Sequence, residues 1–233
     1  MDFKYKRVLI KISGEALSSG DQTFCPDRIN TVAQHIKSIH DKGINAAFVV
    51  GGGNIIRGRS LTGSDRNRAD HMGMLATAIN ALALEDALIA HDVPCKVLSA
   101  VEMQRFCDTY SSREANAALD NGTVVIFACG TGSPFFSTDT AAALRALEIH
   151  ADALLLAKNV DYIYDKNPDI HPDAKPYYTV SYDEVIEKNL KATDITTITL
   201  CRDYALPILL FSLMAEDCFF RVLSGENVGT VIH

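Results

Sequence analysis

Three glycine-bearing turns each follow an apolar run: Lys11-Ile12-Ser13-Gly14-Glu15, Gly51-Gly52-Gly53-Asn54 and Gly130-Thr131-Gly132-Ser133-Pro134. Glycine lets backbone N–H groups approach an anion with no Cβ in the way, and successive N–H groups make an anion-binding concavity. One such turn is an ordinary strand-to-helix connection. Three together point to a polyphosphate, or to two phosphorylated ligands facing each other. Charged groups stand beside them. Lys11 sits at the end of the first apolar run, next to Gly14, and Arg57 follows Gly53 by four residues. Taken singly, Lys11 also reads as an edge lysine facing water and Arg57 as a solvated loop arginine. Asp139 stands at a predicted helix start after the third turn, and Asp70 opens a long predicted helix; either also reads as a plain N-cap. Thr131, Ser133, Ser137 and Thr138 add hydroxyl donors near a third anion site.

One chemistry uses all of these groups. Phosphoryl transfer needs positioning and charge neutralisation more than covalent chemistry. Two anionic nucleotides repel each other, so cations must sit between them. Lys11 and Arg57 supply that charge, with Mg²⁺ riding on the phosphates of the donor. A phosphate acceptor needs no general base, because its second pKa is near ~6. Asp139 then reads as an organiser of Lys11 and Mg²⁺-bound water. Other nucleotide and hydrolase signatures are absent: GxxxxGK[ST], a GxGxxG after the first strand, HExxH and GxSxG do not occur.

These residues need a scaffold that brings the ends of separate strands together. Apolar runs at 8–12, 46–50, 96–98, 123–128 and 153–157 read as strands. Between them, Pro26 opens a helix with Ile29, Val32, Ile36 and Ile39 on one face, closed by Gly43. A long helix is predicted over about 70–91, with Met72, Leu75, Ile79 and Leu82 on one face. Another covers 111–121, and one capped by Thr138 or Asp139 runs to about 149. Residues 159–178 form a loop-rich excursion with Pro168, Pro172 and Pro176. Helices at 181–189 and 194–204 and strands at 207–212 and 219–223 follow. This alternation predicts an α/β fold: a three-layer αβα sandwich around a mostly parallel sheet, with ligands beyond the carboxyl ends of the strands.

The chain has 233 residues, 48% apolar and 22% charged, within the range of one domain with a sizeable core. Its net charge of −7 argues against nucleic-acid binding, which wants a basic face. The six cysteines form no CxxC pair and read as reduced, mostly buried thiols. No signal peptide and no apolar run of membrane-spanning length is read, so a cytoplasmic location without membrane contact is expected.

Taken together, the motifs resemble the amino-acid kinase superfamily and, within it, the bacterial uridylate (UMP) kinases. The resemblance covers nearly the whole chain: VLIKISGEAL at 8–17, VVGGGNIIRG at 49–58, DHMGMLATAINALAL at 70–84, CGTGSPFFSTDTAAALRALEI at 129–149, VDYIYDKNP at 160–168 and TDITTITLCRD at 193–203. DHMGM and GTGSPFFSTD are the segments specific to uridylate kinases. The resemblance implies one amino-acid-kinase-like domain over 1–233, with a UMP lobe over about 1–150 and an ATP lobe over about 151–233. It implies ATP at Lys11, Ile12, Ser13, Gly14, Gly53 and Arg57, with Tyr164 against the adenine, Asn167 in the adenosine loop, and Lys158 or Asn159 in an adenine-contacting slot. It implies UMP at Gly52, Asp70, Thr131, Gly132, Ser133, Pro134, Phe135, Phe136, Ser137 and Thr138, with Asp70 on the ribose. Lys11, Arg57, Asp139 and Asp194 correspond to the catalytic set, with MgATP as donor, in pyrimidine nucleotide biosynthesis. It further implies a homohexamer built from dimers, with UTP as inhibitor and GTP as activator; residues 70–91, apolar beyond one stripe at Ala76, Ala81, Ala83, Leu84 and Ala87, are expected to form part of the dimer contact. The sequence departs from the family pattern at Tyr162, where glycine is usual, and at Asn167, where aspartate is common; both bear on donor affinity. The segment Ser18-Ser19-Gly20-Asp21-Gln22 is short where the family places part of its GTP response, which leaves GTP activation open. Two other readings stay open from the residues: a superfamily kinase acting on a carboxylate or carbamate, and a non-catalytic nucleotide sensor.

Overall fold

The computed structural model describes residues 3–56, 65–191, 193–213, 215 and 217–233. Its strands are β1 (Arg7–Ile12), β2 (Asn45–Val50), β3 (Cys95–Ser99), β4 (Asp108–Thr109), β5 (Val124–Ala128), β6 (Ala153–Lys158), β7 (Ile163–Tyr164), β8 (Pro176–Tyr177), β9 (Thr179–Val180), β10 (Ile208–Ser212) and β11 (Gly229–Ile232). Nine of them form one sheet in the order β4-β3-β5-β2-β1-β6-β10-β11-β9, while β7 and β8 pair separately. Every pairing in the large sheet is parallel except β10 with β11. The central strands are apolar on both sides, as a sheet covered on both faces requires.

The helices are α1 (Pro26–His40), α2 (Arg66–Ala90), α3 (Ser112–Asp120), α4 (Thr138–Glu148), α5 (Tyr182–Glu187), α6 (Ile195–Asp203) and α7 (Cys218–Leu223). On one face, Ile36 of α1, Leu84 and Leu88 of α2 and Phe219 of α7 pack with Val8, Ile10 and Ile12. On the other, Leu119 of α3, Ala142 and Ala146 of α4, Val185 of α5 and Ile198 of α6 pack with Leu9, Leu154 and Leu156. This is the expected three-layer sandwich.

Several sequence expectations are corrected. Helix α2 starts before residue 70, capped by Asp65, whose side chain accepts from the N–H of Arg68. Asp70 therefore lies inside the helix and is not its cap. The cap of α4 is Ser137, not Thr138 or Asp139. The apolar stripe on α2 is split: Leu75 and Ile79 are exposed, Leu82 packs partly buried against the core, and the fully covered side is Ala76, Ala81, Leu84 and Leu88. Small residues let this helix lie close to the sheet. By length and composition alone α2 is also long and apolar enough to cross a membrane, contrary to expectation, but part of it is buried within this fold. Residues 219–223 are helical, not a strand. Cys218, Phe219, Val222 and Leu223 are buried and Phe220 and Arg221 are not, a helical period that an apolar pentapeptide conceals. The closing strand β11 carried no recognised signal.

Candidate active site

The strands β5, β2, β1 and β6 are neighbours, so their carboxyl ends form one edge of the sheet. The first two glycine turns touch there. A Cβ on Gly14 would lie 2.4 Å from the carbonyl oxygen of Gly51 and 2.4 Å from Asn54 Oδ1. The second turn also presses on α2, where a Cβ on Gly52 would meet Ala76 Cβ and the Gly73 oxygen at 2.9 Å. Buried Asn80 of α2 secures this turn, donating to Gly51 O at 2.6 Å and to Asn54 Oδ1 at 2.7 Å. The third turn is held from two sides. Thr77 Oγ1 on α2 accepts from the N–H of Cys129 at 2.9 Å, and Arg145 on α4 donates to Gly130 O at 3.4 Å. One helix thus fixes two turns relative to each other.

The period of two along a strand builds the charge centre. Leu9 and Lys11 of β1, and Leu154, Leu156 and Lys158 of β6, point to the face that α4 covers. Asp139, in the first turn of α4, meets both lysines. Lys11 Nζ lies 2.7 Å from its Oδ1 and Lys158 Nζ 2.7 Å from its Oδ2. Thr193, just before α6, donates to Oδ2 at 2.7 Å. Lys11 and Asp139 are each 8% exposed. Burial alone would raise the Asp139 pKa; the charges of Lys11 and Lys158 and their hydrogen bonds outweigh it and hold the carboxyl well below the usual carboxylate range. The centre stays a carboxylate between two cations.

A cavity of about 350 Å³ opens beside this centre. It is lined by Lys11, Gly52, Gly53, Asp70, Thr131, Ser133, Phe136, Ser137, Thr138, Asp139 and Asp194 among others, which gathers most of the sequence-derived acceptor and catalytic residues. Gly132, Pro134 and Phe135 belong to the same turn but do not line it. Asp70 Oδ2 accepts from Arg66 Nε and from the N–H of Phe135, both at 2.8 Å, which ties α2 to the third turn. Asp194 caps α6 without a side-chain bond to that helix. A second cavity of about 360 Å³ lies over the 160–168 segment, lined by Tyr162, Tyr164, Asn167, Lys188 and Lys191 among others. Ile12 is fully buried in the sheet, Ser13 half-buried, and Asn159 exposed. Arg57 lies outside the described residues.

No group of three or more His, Cys, Asp or Glu side chains gathers as a metal site among the described residues. Asp139 spends both oxygens on lysines.

The amino acid kinase family matches residues 6–212. The chain belongs to this family. It is similar to the solved UMP kinase from Bacillus anthracis, at 38% identity over 98% of this chain and 96% of that one, with a TM-score of 0.95. It is similar to the UMP kinase from Ureaplasma parvum at 37% identity over 98% and 99% of the two chains, TM-score 0.93. The uridylate kinase from Archaeoglobus fulgidus, at 24% identity and TM-score 0.73 over 97% and 99%, shares the fold.

Within this amino acid kinase fold, three features escaped the sequence reading. Lys158, named from the resemblance only for an adenine-contacting slot, directs its ammonium to Asp139, and the signal for that contact was its alternation with Leu154 and Leu156. Thr193 carried no signal, because the partner of its hydroxyl is 54 positions away. Asn80 and Thr77 look like ordinary polar residues inside an apolar helix, yet they hold the turns.

Proposed function

We propose that this chain is a UMP kinase, moving the γ-phosphoryl group of ATP to UMP and giving UDP and ADP. The observation that carries the reading is the pair of lysines on one buried carboxylate, at the edge where the glycine turns meet and beside the acceptor cavity. The near full-length similarity to two UMP kinases supports the choice of acceptor.

UMP occupies the cavity between α2 and the 131–138 turn, its ribose hydroxyls toward Asp70 and its base and phosphate among the turn hydroxyls. ATP takes the second cavity for its base, against Tyr164, and runs its phosphates past Gly14 and Gly53 to Lys11. An oxygen of the UMP phosphate attacks the γ-phosphorus while the bond from that phosphorus to the β,γ-bridging oxygen breaks. No proton has to be removed first. Lys11 and Lys158 stabilise the charge on the transferring group, and Asp139 keeps both in place at no reorganisation cost during reaction. Mg²⁺ carried by ATP adds charge neutralisation when bound. Arg57 is assigned to the same phosphates. On this reading the acceptor lobe spans about 1–150 and the donor lobe about 151–233, and the enzyme is a cytoplasmic hexamer inhibited by UTP.

Coupled ADP release, with UMP, CMP, glutamate, aspartate and carbamate offered in turn, tests the proposal. Turnover with UMP is expected. Turnover confined to the non-nucleotides would identify a carboxylate or carbamate kinase, and nucleotide binding without turnover would identify a sensor.

A further inference from the structure

Asp139 receives its donors from three separate elements: Lys11 from β1, Lys158 from β6 and Thr193 from the segment entering α6. The two ammonium groups take one oxygen each, and both come from the sheet side. Such a pair leaves the carboxylate free to rock about the line joining the cations. The hydroxyl on Oδ2 comes from the α6 side and removes that freedom. It also fills acceptor capacity that a buried carboxylate must satisfy.

Thr193 does not behave as a turn residue. Thr31 and Thr199 spend their hydroxyls on carbonyls of their own helices. Thr193 instead reaches across 54 positions to a side chain that is nine-tenths buried. Its neighbour Asp194 lines the acceptor cavity and makes no capping bond to α6. The Thr193 bond therefore anchors the end of α6 that carries Asp194 to the charge centre.

We propose that Thr193 is a positioning residue for the transfer step: through Asp139 it fixes the two lysines, and through the backbone it seats Asp194. The proposal rests on the phosphotransfer reading above. It assigns Thr193 no contact with substrate, so the effect falls on kcat and not on binding.

The experiment compares the full-length wild type with Thr193→Val, which keeps the shape and loses the donor, and Thr193→Ser, which keeps the donor. Steady-state kinetics with ATP and UMP are measured for each, with thermal melts to confirm folding. The expected result is a kcat about tenfold lower for Thr193→Val, the loss of one hydrogen bond to a charged group, with both KM values within about twofold. Thr193→Ser returns kcat to within about threefold of wild type. An unchanged kcat in Thr193→Val, or an equal loss in Thr193→Ser, overturns the proposal. Lysine-selective ¹⁵N spectra give a readout independent of turnover. The Lys158 ammonium signal moves in Thr193→Val and not in Thr193→Ser; identical spectra overturn the positioning role even if the wild type proves inactive. A wild type without turnover on UMP sinks the phosphotransfer reading instead, leaving Thr193 to be judged on the spectra.

Discussion

Asp70 reaches from α2 to the backbone N–H of Phe135, 2.8 Å away. Phe135 has a φ of 71°, a left-handed conformation that a phenylalanine rarely adopts. The carboxylate holds that strained residue in place, so it shapes the wall of the acceptor cavity as well as facing it. Asp70→Ala leaves the Phe135 N–H and Arg66 without this partner. Steady-state kinetics are expected to show KM for UMP raised by roughly 10- to 100-fold, the loss of a charge-assisted bond or two, with KM for ATP little changed. Equal rises in both would place Asp70 away from the acceptor.

Lys11→Met keeps the stem of the side chain and deletes its charge. Asp139 retains Lys158 and Thr193, so the fold survives. Loss of a preorganised charge at the reacting phosphates is expected to lower kcat by roughly 10²- to 10³-fold. A variant within a few-fold of wild type would remove Lys11 from the reaction.

Asp139→Asn leaves the buried Lys11 ammonium and the partly buried Lys158 ammonium without their counter-charge. Removing one partner of a buried ion pair costs roughly 3–5 kcal/mol, which should appear as a clear drop in Tm by calorimetry. The pH dependence follows from the sign of the shift. The folded-state pKa of Asp139 lies below its unfolded value, so its stabilisation is complete above the unfolded pKa, near ~4, and is lost as pH falls through the folded value. The gap in Tm between wild type and variant should stay constant from neutral pH down to about 5 and narrow only in stronger acid. In kinetics the variant should be slower with no new acidic limb; a displaced limb would make Asp139 a base.

Gly14→Ala puts a Cβ where the Gly51 carbonyl stands, 2.4 Å away. Backbone cannot yield as a side-chain tip does, so the first two turns must separate. A stability loss of roughly 1–3 kcal/mol is expected in urea unfolding, together with a fall in kcat/KM that exceeds what the loss of folded protein explains. Gly53→Ala is the control, since a Cβ there meets no atom of the described residues within 4 Å; it should leave stability nearly unchanged.

Much of the fold was legible in the chain because its signals are local. An apolar run such as Val124–Ala128 is what a strand covered on both faces demands, and the helix read over 111–121 matches α3 to within a residue at each end. Signals failed where two periods fit one short segment. Residues 219–223 read as a strand by composition, yet they belong to α7, which packs by turns of a helix against β10 and α1. The sequence could not say which side of α2 meets the sheet, because that helix is apolar around most of its circumference and only packing decides. Burial chose the small residues Ala76 and Ala81 and left Leu75 and Ile79 outside.

The sequence by itself determined the α/β alternation, the three glycine turns at strand ends and the identity of Lys11 and Asp139 as charged residues beside them. Those depend on neighbours within a few positions, where backbone geometry dictates the pattern. Only the tertiary structure decided that Lys158 and Thr193 complete the centre around Asp139 and that Asp70 holds Phe135. These pairings join elements far apart in the chain, and a side chain's partner across such a distance is set by how strands register and helices pack.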